Sequence, residues 1–245
     1  MDRLVYLAMS GAKALEQRQH ALSNNLANAS TDGFRADMAA FRAVPVRAEN
    51  TATTRVYSLE ATAGFDDSTG ALRHTDNPLD VAVRGPGWFA VQGPDGNEYY
   101  TRNGAFVVGA DGTLQTQAGL PVVGDGGPIA VPENARVHVG SDGVVSAAVG
   151  NQPPQPLGTL KLVNMASDAL VKKGNGLVQM REGGPAPADP AVTVAQGYLE
   201  SSNVNVVESM VGMIAVSRQF EMQMKMMQNA EANDARATTI LSRNG

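Results

Sequence analysis

The sequence predicts an α+β multidomain chain. Paired long N- and C-terminal helices would form an inner coiled-coil-like domain, and extended arms would join it to an all-β, hairpin-rich outer domain. Three observations predict this. Apolar or small residues recur at three-or-four spacing at Leu4, Leu7, Ala8, Gly11, Ala12, Leu15, Leu22 and Leu26, which draws one helical stripe. A second stripe runs through Val206, Met210, Met213, Ser217, Phe220, Met224 and Met227, with a heptad-like alternation of four and three. Between the stripes, short β-rich runs are separated by Asp-Gly and Asn-Gly pairs, which favour tight turns with positive φ.

The first helix and its closing turn occupy residues 1–33. At its end stands Asn24-Asn25-Leu26-Ala27-Asn28-Ala29-Ser30-Thr31-Asp32-Gly33-Phe34-Arg35. Side chains of Asn, Ser, Thr and Asp compete with helical hydrogen bonds, and Gly33 is free to take positive φ, so the helix is expected to stop there. Phe34 is an apolar anchor for the exit.

Residues 34–70 read as an extended arm. Pro45 opposes further helix, and from Glu49 to Thr69 the composition is dominated by Thr, Ala, Ser and Asp. The outer β-domain is assigned to 71–197. Leu79–Val83 and Trp88–Val91 are strand-like, and Asp95-Gly96, Asn103-Gly104, Asp111-Gly112 and Asp142-Gly143 mark hairpins. Trp88 reads as a core anchor, with a sugar-stacking platform on a carbohydrate-binding β-domain as the rival reading. Residues 198–245 form the C-terminal arm and helix, with Asn205 as N-cap and Glu208 three residues on. A helix this long needs a partner for its stripe, and the N-terminal stripe is the obvious one. Its methionines suit either a Met-filled helical core or a surface that must fit slightly different neighbours.

Composition narrows the function. The chain has 245 residues, a formal charge of -5 and no cysteine, so neither a disulfide nor a thiolate site exists. No basic stripe invites nucleic acid, no run of about 18 apolar residues predicts a membrane span, and no cleavable leader is read at the N-terminus. His20, His74 and His138 are scattered, and Asp66-Asp67 and Asp76-Asn77-Pro78 lack calcium-loop spacing. Gly124–Pro128 is not followed by the Lys-Ser/Thr of a phosphate loop, and no nucleophile elbow occurs. No catalytic, metal or cofactor residue is nominated, and no enzyme is expected.

The terminal strings carry a resemblance. Asn24-Asn25-Leu26-Ala27-Asn28 followed by Thr31, Gly33, Phe34 and Arg35 is similar to the N-terminal signature of flagellar rod and hook proteins. The likeness continues through Phe41–Val46, Gly87–Val91, Tyr100-Thr101-Arg102-Asn103-Gly104 and Leu199-Glu200-Ser201-Ser202-Asn203-Val204-Asn205, so it spans the chain in order. It implies a structural axial subunit of the basal-body rod, in its proximal part, that transmits torque. The alternative within the family is a distal-rod or hook subunit. Implied partners are copies of itself, other rod proteins and the flagellar type III export apparatus; nucleic acid and small-molecule substrates are not expected. The implied location is the rod in the periplasmic space, reached without loss of a signal peptide. Leu15, Leu22, Leu26, Val206, Met210, Met213, Phe220, Met224 and Met227 are the expected helix-packing residues. Asn24, Asn25, Leu26, Ala27, Asn28, Thr31, Gly33, Phe34 and Arg35 are expected to fix the turn.

Overall fold

A computed structural model describes residues 2–45, 56–173 and 176–243. They fall into two compact units. The terminal unit combines residues 1–27, 37–64 and 205–245, and the outer unit combines 28–36 and 65–204.

The terminal unit holds helix α1 (Asp2–Ala27), strands β1 (Asp37–Pro45) and β2 (Val56–Phe65), and helix α2 (Val206–Arg243). β1 and β2 pair as a two-stranded sheet. Asn205 caps α2, its Oδ1 accepting the Glu208 N–H at 3.2 Å. No helix among the described residues is long and apolar enough to cross a membrane.

One part of the predicted fold class is corrected here. The unit has one helix at each end of the chain, but these do not form a coiled-coil-like pair. A heptad seam requires its apolar positions to be buried. Yet Val206, Met210 and Phe220 are exposed, and among the described side chains of α2 only Ser209 and Val216 are buried. Two glycines lie where the helices approach. A Cβ added to Gly212 would lie 3.3 Å from Leu22, and one added to Gly11 would lie 3.3 Å from Gln223. Within the expected extended arm, Asp37–Pro45 and Val56–Phe65 are the strands β1 and β2. The sequence Tyr57, Leu59, Ala61, Ala63, Phe65 alternates with polar or small residues at period two, as a half-buried strand does. The part of the expected linker at 46–55 lies outside the described residues.

The outer unit is antiparallel throughout its larger sheets. A five-stranded sheet runs in the order Leu162–Val163, Trp88–Gln92, Glu98–Thr101, Val178–Met180, Leu170–Lys172. A three-stranded meander is made by Ala135–Val139, Val144–Val149 and Gln155–Thr159. Thr193–Gln196 returns to pair with Val81–Arg84, and Tyr198–Glu200 with Leu72–His74, so the C-terminal end of the unit closes on its beginning. Strand Trp88–Gln92 lies between two apolar clusters. Phe89 enters one with Phe106, their rings edge to face at 5.2 Å, while Trp88 and Ala90 enter the other.

Three hairpin loops repeat one design. In Gly93–Asn97, Gly109–Thr113 and Gly140–Val144, the first N–H donates to the fifth carbonyl, at 2.8 Å in each case. The glycine N–H at the fourth position donates to the first carbonyl, and the Asp side chain accepts the fifth N–H. Gly96, Gly112 and Gly143 hold φ of 77, 75 and 83°, the left-handed position such three-residue loops need. Asn103-Gly104 is different. A Cβ on Gly104 would meet the Val81 carbonyl oxygen at 1.7 Å, so that glycine serves a close backbone approach.

Candidate functional site

After α1 ends at Ala27, the chain makes a tight turn. Thr31 N–H donates to Asn28 O at 3.1 Å, and the Thr31 hydroxyl reaches Asn28 Oδ1 at 3.2 Å. Gly33 follows with φ of +71°, and a Cβ there would lie 2.3 Å from the Asn103 nitrogen. Both the dihedral and the contact exclude other residues. Gly33 N–H in turn donates to the Glu200 carbonyl at 2.7 Å. The next two side chains are driven inward: Phe34 is 7% exposed and Arg35 3%. Lys172 Nζ stands 3.7 Å above the Phe34 ring and donates to the Arg35 carbonyl at 2.7 Å.

Arg35 reaches Glu200 on the last strand of the unit. Its Nη1 donates to Glu200 Oε1 at 2.6 Å. Arg102 serves the other oxygen, its Nε donating to Oε2 at 2.7 Å. Arg102 Nη2 lies 2.6 Å from the same oxygen, attracted by charge but not aligned for a hydrogen bond. Arg102 Nη1 donates to the Gly87 carbonyl, and Gly70 N–H completes the carboxylate at 2.8 Å. The side chains of Arg35, Arg102 and Glu200 are all at most 3% exposed. Two guanidiniums thus share one carboxylate out of water. Burial pushes the Arg102 guanidinium below its usual range, the Glu200 carboxylate opposes this, and the Arg35 charge adds to the fall. Such charge-assisted, geometrically fixed bonds make a stiff cross-link.

The predicted turn residues divide between the units. Gly33, Phe34 and Arg35 join the buried cluster, with Asn28 and Thr31 forming the turn ahead of it. Asn24 and Asn25 act in the terminal unit on Asp37. Asn25 Nδ2 donates to the Asp37 carbonyl at 3.0 Å while its Oδ1 accepts the Asp37 N–H at 2.7 Å, so the amide imitates a strand partner. Asn24 Nδ2 donates to the Asp37 carboxylate at 2.5 Å. Leu26 is half-buried and Ala27 exposed. Of the helix-packing residues, Leu15, Leu22, Met213, Met224 and Met227 are half-buried.

Residue-level reasoning passed over Glu200, Arg102, Lys172 and Asn203 as functional positions. Charged residues set inside apolar strand text, as in Tyr198-Leu199-Glu200 and Tyr99-Tyr100-Thr101-Arg102, were the available signal. Trp88 is 4% exposed, edge-on to Phe65 at 5.8 Å with Arg35 5.9 Å above its ring, which corrects the sugar-platform alternative. Among the described residues no group of three or more His, Asp or Glu side chains gathers to hold a metal.

The salt-linked cluster binds distant stretches of chain into one β-rich body. Comparison with known proteins gives the class. Residues 6–35 match the family described as flagella basal body rod protein, residues 82–147 the flagellar hook protein FlgE/F/G D1 domain, and residues 195–240 the flagellar basal body rod FlgEFG protein C-terminal. The chain belongs to the flagellar basal-body rod protein family. It is 43% identical, over 99% of both chains, to the flagellar basal-body rod protein FlgF of Salmonella typhimurium, and equally so to FlgF of Escherichia coli. To the rod protein FlgG of Buchnera aphidicola it is 34% identical over 90% of this chain and 93% of that one.

Proposed function

We propose that this chain is a FlgF-type structural subunit of the proximal rod, whose terminal helices pack against neighbouring axial proteins to transmit torque. The 43% identity to FlgF of Salmonella and of Escherichia coli, over 99% of both chains, supports that choice within the family. In this reading the subunit passes through the flagellar type III export apparatus into the periplasmic space without a cleaved leader, and meets copies of itself and other rod proteins.

The observation that carries the proposal is the surface of α2. Val207 is 70% exposed, Val211 61% and Ile214 57%, at helical spacing of four and three. Met210, Met222 and Met226 add to the bare apolar area. A face of this kind marks an interaction surface, and methionines let one face fit inequivalent neighbours. Electron cryo-microscopy of isolated basal bodies tests the reading. A few copies near the membrane, with α2 against other axial chains, would support it. Many copies along an extended tube would move the assignment to distal rod or hook, and no match in the axis would overturn it.

A further inference from the structure

The chain crosses between the two units four times, at 27/28, 36/37, 64/65 and 204/205. Asn203 lies within the outer unit beside three of these exits. Its Oδ1 accepts the Ala36 N–H at 2.7 Å, and its Nδ2 donates to the carbonyls of Asp66 and Ser68, both at 3.0 Å. The backbone adds two bonds around the same point. Asn203 N–H donates to Phe34 O at 3.3 Å, and Asp66 N–H donates to Ala36 O at 2.8 Å. One N–H on one side and two carbonyls on the other fix which way the amide points. No other side chain type supplies an acceptor and a double donor on so short a stem.

We infer that Asn203 is a positioning residue that pins three chain exits of the outer unit into one closed frame in the free subunit, before any neighbour is met. The Arg35–Glu200–Arg102 cluster anchors the same segments deeper in the unit, but the amide bonds at residue 203 decide how residues 36, 66 and 204 leave it. This holds whatever the chain assembles with, so it stands apart from the rod assignment.

Amide-resolved hydrogen exchange on the full-length monomer tests it, with Asn203→Ala and Asn203→Asp compared to the natural chain. In Asn203→Ala the Ala36 and Asp66 amides should exchange roughly ten-fold faster, as loss of a small set of hydrogen bonds requires. Ala90, whose N–H is bonded to Lys161 O inside the main sheet, should change less than about two-fold. In Asn203→Asp the Ala36 N–H keeps its acceptor and should stay protected. The Asp66 amide should loosen, because a carboxylate would face the Asp66 and Ser68 carbonyls. Unchanged Ala36 and Asp66 exchange in Asn203→Ala would overturn the inference. So would equal acceleration at Ala90, or failure of both variants to fold, either of which indicates general stability alone.

Discussion

Arg35 and Glu200 stand 165 positions apart in the sequence and 2.6 Å apart in the fold. Because Glu200 is the shared partner of two buried guanidiniums, its loss leaves both uncompensated. Glu200→Gln should therefore destabilise the outer unit by roughly 3–5 kcal/mol, read as a lower urea midpoint for the full chain. Replacing all three charges together, as Arg35→Met, Arg102→Met and Glu200→Leu, should recover much of that loss, since isosteric apolar groups avoid the desolvation cost. A triple variant weaker than Glu200→Gln would contradict this account.

Gly33 sits at the same junction with φ of +71° and 2.3 Å of room before the Asn103 backbone. Gly33→Val should lower stability by about 2 kcal/mol or more, from strain and from displacement of the Gly33–Glu200 backbone bond. Thermal melting of the monomer checks it. A substitution at Gly96, also left-handed at φ of 77° but with nothing within 4 Å of its added Cβ, should cost less.

Much of the outer unit was legible in the sequence because its signals are local. Asp95-Gly96, Asp111-Gly112 and Asp142-Gly143 carry their own turn geometry, and Phe89, Val91, Val137, Val139 and Val145 alternate as strands do. The terminal unit was less legible for two physical reasons. In β1 the residues around Met38-Ala39-Ala40 have weak strand propensity, so pairing with β2 decides their state. In α2 the apolar residues run around much of the helix, from Val206 and Val207 to Met226 and Met227, so periodicity alone selected one stripe where several faces are bare. The signature turn was found as text, but the pairing of Arg35 and Arg102 with Glu200 joins positions 165 and 98 apart and is a product of folding.

Tyr100 gives a pH prediction. Burial raises its phenol above the usual value, and hydroxyl donation to Glu98 at 2.8 Å raises it further, against the Ala186 N–H that bonds the oxygen at 2.6 Å. A raised folded value means the neutral phenol stabilises the fold fully below its unfolded pKa of about 10, and the contribution is lost as pH rises toward the folded value. Stability should fall as pH rises above about 10, and Tyr100→Phe should flatten that fall. Urea midpoints measured across that rise for both proteins decide it.

The bare face of α2 makes the last prediction, because it separates folding from assembly. Val211 and Ile214 are 61% and 57% exposed, so a charge at either meets water in the free chain. Val211→Asp with Ile214→Asp should change monomer stability by no more than about 1 kcal/mol, two ordinary surface substitutions. In the rod the same carboxylates would be trapped against a neighbouring helix, where an unpaired buried charge is strongly unfavourable. Cells carrying the pair should make and export the protein, lack it in isolated basal bodies, and fail to swim. Phe220→Asp, at 37% exposed, should act the same way with a somewhat larger effect on the monomer. Normal incorporation of the double variant would show that this face looks into solvent in the finished structure, and the neighbours would have to be sought on another surface.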